Sequence, residues 1–430
     1  MRTNFYHGGE VKVDMSPDRG TVLLFGEGTS LSHVVRPAVL ARALQTAGFE
    51  AHLACDERYH HLLSGMGLNL IHTPSLPTEQ ALDNVYNGRP LIDADTLDGY
   101  VREDLRIISE IRPDVVVGDL RQSLAVSARL KSLPLIAIAN AQWSPYSNLE
   151  FELAENPLID VIGDGPAQLL FKMFFPVGSF IHTLPINVIR SKYGLPWISL
   201  NFKDLFVYGD YVAYPDIPEI VPSRGLPANH IYLGPILWSP KVKEPDWWTA
   251  VPTGNPIVYV NLGSSGQKRL LESVLEALAN LPVSVIAGTA GRVNLASAPS
   301  NAYLADYLPG SEAASRAALT ICNGGTMSGQ QSLAAGTPML GLVSNMDQLI
   351  FSKAVSKIGA GDMLRERDAG KNAIKSKVEQ MLSRNSYRQA AERMAAACQQ
   401  YNAEAAFVTL VEKVVRRVRT TGAKSASAIN

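Results

Sequence analysis

Net charge is almost absent from this 430-residue chain, where 39 Lys and Arg stand against 40 Asp and Glu and leave −1. That balance gives no pointer to nucleic acid or an anionic membrane as the main partner, since both are held by a basic excess. Cysteine is scarce too. Cys55, Cys322 and Cys398 are odd in number and far apart, so they form neither a disulfide framework nor a metal-ligand cluster. No run reaches the roughly 20 apolar residues that span a bilayer. The start, Met1-Arg2-Thr3-Asn4-Phe5, has no apolar signal core, so a cytoplasmic enzyme is the expectation. What is present is globular bulk, 46% hydrophobic and 18% charged. This length implies two domains of about 200 residues each.

The first half alternates apolar runs with helical patterns. Thr21–Gly26 reads as a central strand that breaks at Gly26-Glu27-Gly28, and a helix follows from Arg36 to Ala47. Strands are predicted at Ala51–Cys55 and Leu70–His72, then a helix at Val101–Ile111 and a strand at Asp114–Asp119. A helix at Ser123–Lys131 and a strand at Leu135–Ala139 come next, and the half closes with strands at Leu205–Tyr208 and His230–Leu233. Strand and helix at this pitch specify a parallel sheet with crossover helices, whose ligands bind beyond the carboxyl ends of the strands. His33 and Asp119 each fall just at such an end.

Two stretches break the pattern. Pro74–Gly99 is polar and reads as an irregular wall or lid. Ala141–Leu200 is rich in aromatics, among them Trp143, Tyr146, Phe171 and Phe174, and Leu169–Ile181 is strongly apolar. Three readings stay open there: a packed helical hairpin, the lining of a lipophilic pocket, and contact with a membrane surface.

A proline-rich linker at 236–254 separates domain 1–235 from a second alternating series at 255–419, with a disordered tail expected at 420–430. The second series opens with the strand Ile257–Leu262 and the turn Gly263-Ser264-Ser265-Gly266. Later comes Thr320-Ile321-Cys322-Asn323-Gly324-Gly325-Thr326, a buried strand that turns on two glycines into a helix. Glycines let a backbone approach a ligand closely, and the first amides of a helix are unpaired donors at its positive end. Such a junction suits a diphosphate.

The combination resembles the GT-B glycosyltransferases, and within them family 1, which includes macrolide-type and plant natural-product enzymes. The likeness runs from about Thr21 to Val415. Its most specific part is Asn323-Gly324-Gly325, then Ser328, Gln331, Gly336-Thr337-Pro338 and Asp347-Gln348. The resemblance implies an α/β, GT-B architecture of two doubly wound Rossmann-like domains facing a central cleft. It places a nucleotide sugar, UDP-glucose by expectation, on the second domain. Ser328 falls on the family's phosphate-contacting Ser, and Gln331 on its ribose-contacting Glu. Asp347 and Gln348 would hold sugar hydroxyls. Tyr307 would stack on the base while the Leu308 main chain reads it. Gly263, Ser264, Ser265, Asn323, Gly324, Gly325 and Thr326 would surround the phosphates. Asn323 departs from the usual His, and Gln331 from the usual Glu. Both replacements can still hydrogen-bond.

In the first domain, Leu31-Ser32-His33-Val34 resembles the family's Gly-His-Val motif. His33 is then the expected general base, since imidazole titrates near neutral pH, with Asp119 as its orienting carboxylate. No metal or cofactor is expected, and Asp93-Ala94-Asp95 reads as a solvated acidic turn rather than a metal site. Trp143 and Tyr146 are expected at the pocket of a small lipophilic or aromatic acceptor. The oligomeric state is not legible in the sequence, and a weak homodimer is one option for self-association. Two alternatives compete with transfer: a sugar-nucleotide epimerase or hydrolase of the same fold, and a non-catalytic sugar-nucleotide-binding subunit.

Overall fold

The computed structural model describes residues 19–263, 268–289 and 298–427, so Ser264 and Ser265 lie outside the described residues. Two all-parallel sheets carry the chain. The first has seven strands: β1 (Thr21–Gly26), β2 (Glu50–Cys55), β3 (Asn69–His72), β4 (Val115–Asp119), β5 (Leu135–Ile138), β6 (Tyr211–Tyr214) and β7 (His230–Tyr232), in the order 3-2-1-4-5-6-7. The second has six: β8 (Ile257–Asn261), β9 (Ser284–Gly288), β10 (Ala302–Ala305), β11 (Leu319–Cys322), β12 (Met339–Val343) and β13 (Gly361–Arg365), in the order 10-9-8-11-12-13. Both are doubly wound, with the chain reversing direction across the sheet beside β1 in one and β8 in the other. Ligands of such sheets sit at that reversal, beyond the carboxyl ends.

The central strands are near-continuous apolar runs because helices cover both faces. Val22, Leu24, Val115, Val117 and Ile136 are fully buried on one side of the first sheet, and Leu23, Phe25 and Val116 on the other. Register places Gly26 opposite Asp119 and Asn261 opposite Cys322. The ends of β1 and β4, and of β8 and β11, are therefore level, which puts His33 beside Asp119 and Gly263 beside Asn323.

Several expectations need correction. Pro74–Gly99 is not irregular: it holds a helix at Thr78–Tyr86 and the first turns of the helix Ala94–Ile111. Asp93 caps that second helix, its carboxylate accepting from the Thr96 amide at 2.8 Å, which accounts for the Asp-x-Asp spacing. Leu205–Tyr208 is not a strand. The 3-10 turn Phe202–Phe206 occupies it, and β6 starts at Tyr211. The apolar run Leu169–Ile181 is not a hairpin but part of a single 29-residue helix, Asp164–Lys192. That helix is long and apolar enough to cross a membrane, which the residue-by-residue reading had excluded. The final helix, Ala403–Ser427, runs into the stretch 420–430 expected to be a disordered tail, as far as the described residues reach. It also crosses back to the first domain, where Phe407, Val411 and Val414 pack against Val22, Leu24 and Val34.

Candidate active site

A cavity of about 1230 Å³ lies between the two domains, with His33 and Asp119 on one wall and Asn323, Gly325 and Ser328 on the other. His33 sits in the first turn of the helix Ser32–Thr46. Its Nδ1 is 2.7 Å from Asp119 Oδ1. Asp119 is completely buried. With Nδ1–H donating to that carboxylate, Nε2 is the ring nitrogen left for a ligand. Leu120 follows in a left-handed conformation, φ +58°, which a residue bearing a side chain adopts at a cost of about 1 kcal/mol. Such local strain gathers at functional sites.

Arg36, one turn beyond His33, was missed by the sequence reasoning. Its Nε and a terminal nitrogen donate to both Asp119 oxygens, at 2.8 and 2.7 Å, and it also donates to Asn140 Oδ1. Asn140 Nδ2 in turn reaches Thr326 Oγ1 at 3.4 Å. A continuous hydrogen-bonded path therefore joins the His33–Asp119 pair to the glycine turn of the other domain. The signal was an i,i+3 repeat, which puts Arg36 on the same helix face as His33.

Beyond Asp119 the wall stands on a fully buried ion cluster. Arg121 donates to Glu27 at 3.1 Å and to Asp104 at 3.0 Å, and its guanidinium lies 3.9 Å from the centre of the Tyr100 ring. Burial pushes both carboxyls above their ordinary range, with Arg121 opposing the shift. Glu27 Oε1 has no partner among the described residues.

On the second domain, Gly324 takes φ +76°, and a Cβ there would come within 2.5 Å of Ser352 Oγ and 2.6 Å of Val343 Cγ1. It shapes the turn and does not line the cavity. Gly324→Ala is expected to cost about 1–3 kcal/mol, read as a lowered midpoint in urea unfolding. Asn323 Oδ1 accepts from the Gly325 amide at 3.2 Å and from Ser328 Oγ at 3.0 Å. Its Nδ2 faces Gly263, where an added Cβ would lie 3.1 Å away. The helix Thr326–Ala334 starts at Gly325 with no side-chain cap, so its first amides are left for an anion.

Gln331 Nε2 is committed to the linker, donating to Ser239 Oγ at 2.9 Å and Trp238 O at 3.2 Å, while Oε1 lies against Gly310. The neighbouring Gln330 crosses to the first domain, donating to Asp216 at 2.7 Å. Burial raises Asp216 to about 6. Asn345, not Asp347, caps the helix Met346–Lys357. Asp347 Oδ1 instead accepts from Trp143 Nε1 at 2.6 Å and Gln142 Nε2 at 2.8 Å. Gln348 Oε1 takes the Ser344 amide at 2.8 Å. Tyr307 is 43% exposed at the lip, with Leu308 buried behind it.

Trp143 lines the cavity, stacked on Phe206 at 4.9 Å. Tyr146 does not. Its ring packs edge-on against His230 at 5.3 Å, because the turn after Ser144 directs it behind the wall. Around Trp143 the first-domain lining includes the apolar Leu91, Leu170, Phe171, Phe174, Phe175 and Phe202, with Arg58, Glu79, Arg89 and His182 as polar members. Among the described residues no cluster of three or more His, Cys, Asp or Glu could hold a metal.

Residues 272–412 match the family model described as erythromycin biosynthesis protein CIII-like, C-terminal domain. A PGL/p-HBAD biosynthesis glycosyltransferase of Mycobacterium tuberculosis is 48% identical over 381 residues, covering 88% of this chain and 89% of that protein. A PGL/p-HBAD biosynthesis rhamnosyltransferase of Mycobacterium bovis is 45% identical over 397 residues, covering 90% of this chain and 88% of that protein. Among solved structures, the spinosyn rhamnosyltransferase SpnG superposes with a TM-score of 0.69 at 17% identity, over 91% of this chain and all of that one. The two sheets with their facing cleft, and relatives of this identity along nearly the whole length, place the chain among the GT-B glycosyltransferases of family 1.

Proposed function

We propose that the protein is an inverting glycosyltransferase in which His33 is the general base and Asp119 its orienting partner. The observation that carries this is the 2.7 Å His33–Asp119 contact, in the same cavity as the anion-binding turn at Asn323–Ser328. His33 Nε2 takes the proton of an acceptor hydroxyl. The acceptor oxygen bonds to the anomeric carbon as the bond to the diphosphate oxygen breaks on the opposite face. The electron pair leaves with the diphosphate, and its developing charge meets Asn323 Nδ2, the Ser328 hydroxyl and the amides at the start of the helix Thr326–Ala334, a preorganised electrostatic stabiliser. These groups supply the charge stabilisation, so turnover is expected to be unchanged by EDTA. A fall in rate on chelation, restored by a divalent cation, would contradict that.

The acceptor is an apolar molecule with a hydroxyl, received by Trp143 and the phenylalanines of the Asp164–Lys192 helix. The donor carried by the motif is UDP-glucose. The 45% identical rhamnosyltransferase favours a second donor, a nucleotide-activated rhamnose bound in the same place. Incubation with each donor and a panel of lipophilic phenols tests both. Acceptor-dependent release of nucleoside diphosphate supports transfer. Release without acceptor means a hydrolase, and tight donor binding with no release means a binding subunit.

Asp347 ties the domains together through Trp143, so Trp143→Phe keeps the stack on Phe206 but loses one bond to a charged acceptor, worth about 1.5 kcal/mol or more. The expected result is a donor KM raised about tenfold with kcat changed less, checked by steady-state kinetics.

A further inference from the structure

The Asp164–Lys192 helix has two faces of opposite character. Its inner face is anchored. Asn187 exchanges hydrogen bonds with Ser199 and Ile198, both at 2.9 Å, and Arg190 donates to Pro196 O at 2.6 Å and to Ala125 O. Its outer face is apolar and uncovered, with Leu169 62%, Met173 63% and Val177 55% exposed at i, i+4, i+8. Between Asp164 and Arg190 the only charged residue is Lys172. The patch continues onto the short helix Pro157–Ile162, where Val161 is 80% exposed. It extends to the helix Thr78–Tyr86, joined there by the bond from Asn156 Nδ2 to Tyr86 O. Isolated exposed apolar side chains need no explanation, but a contiguous surface of this kind marks an interaction site.

We infer that this face lies flat on a lipid surface, so that the cavity opens into the apolar phase and takes its acceptor from there. Three observations select that occupant. A membrane span would require the inner face to leave the domain, breaking the Asn187 and Arg190 bonds, so the helix rests on a bilayer rather than crossing it. The exposed face and the cavity share residues: Phe174, Val177 and Ile181 are exposed and also line the cavity, so the mouth lies within the patch. A second copy of the chain seated there would close that mouth, whereas a lipid phase would supply it. Finally, the cations beside the patch are paired, Lys172 with Glu150 at 3.7 Å and Lys192 with Asp98 at 2.9 Å. Adsorption is therefore driven by apolar area and does not require anionic lipid. Delivery of an acceptor rests on the transfer reading above, but adsorption does not.

The test is flotation of the full chain with vesicles of neutral phosphatidylcholine, at low and high salt. Wild type is expected to float with the vesicles at both. The triple substitution Leu169→Gln, Met173→Gln, Val188→Gln avoids every cavity-lining position, and should weaken vesicle affinity more than about tenfold while the circular dichroism spectrum stays unchanged. Val161→Gln, on the neighbouring helix, should weaken it by a smaller factor and guards against misfolding of the triple variant. Wild type that stays with the soluble fraction overturns the inference. So does equal flotation of both variants with wild type, or binding only to anionic vesicles that salt abolishes. Sedimentation showing a dimer that the triple variant dissociates, with no flotation of wild type, would assign the face to a second copy instead.

Discussion

His33→Ala is expected to lower kcat for acceptor-dependent transfer by about 10²–10⁴-fold, the range that a positioned general base contributes, while donor binding changes little. The two halves of that result follow from the placement of the groups. The imidazole is fixed on the first domain, with Nδ1 held by Asp119 at 2.7 Å and Asp119 itself held on both oxygens by Arg36. The proposed donor contacts at Asn323, Ser328 and Gln348 stand on the second domain, and removal of the imidazole leaves their hydrogen bonds intact. Kinetics with saturating donor, alongside calorimetric titration of the nucleoside diphosphate, separate the two. A variant that keeps full turnover would remove His33 from the chemistry. A variant that loses nucleotide affinity in step with rate would make the residue a determinant of domain closure rather than a base.

Arg121→Ala should destabilise the first domain by about 3–5 kcal/mol, the cost of leaving a buried charge without its partner. Arg121, Glu27 and Asp104 are all completely shielded from solvent. Removing the guanidinium abandons two carboxylates together with the Thr73 hydroxyl and the Pro74 carbonyl that it also reaches, at 3.0 and 2.8 Å. Replacing all three ionic residues at once, as Glu27→Met, Asp104→Leu and Arg121→Met, should restore much of the loss, since a well-packed apolar substitute for a buried ion cluster is often neutral. Urea unfolding followed by a first-domain probe reads both. If the single substitution leaves the midpoint unmoved, the cluster is not what holds the Asp119 wall.

The fold was legible where the physics is local and repetitive. β1, β4 and β8 are apolar runs with glycine or a carboxylate close to their ends, and strand–helix alternation at that pitch admits a parallel sheet and little else. β10 and β13 escaped notice because Ala302–Ala305 is short and only half-buried, and Gly361–Arg365 mixes charge into an edge strand. The site was legible where motif spacing carries chemistry. His33, Asp119, Asn323, Ser328 and Asp347 do line one cavity. It was opaque where a role depends on a distant partner. Arg36 looked like an ordinary helix residue until Asp119 and Asn140 were placed around it. Tyr146 looked like pocket lining until the turn at Ser144 sent it toward His230. The exposed face of the Asp164–Lys192 helix could not be read from composition, because an apolar run is the same string whether it faces a core or solvent.

Asp216 shows how the two domains are held in register. Its oxygens accept from the Ala141 amide of its own domain and from Gln330 of the other, both at 2.7 Å. Both partners are donors, so Asp216→Asn turns one of these contacts into donor against donor. A cost of about 1–3 kcal/mol is expected, measured as a lowered thermal transition. An unchanged transition would mean that the domains are held mainly elsewhere, through Trp143, Gln142 and Thr326.

The anomeric configuration of the product is the most direct measurement. A single displacement with His33 as base and the diphosphate leaving from the opposite face yields a glycoside of inverted configuration, read from the one-bond carbon–proton coupling at the anomeric centre in NMR spectra taken as the reaction proceeds. Inversion, lost together with product in His33→Ala, is the expected result. A product that retains the donor's configuration would contradict the mechanism.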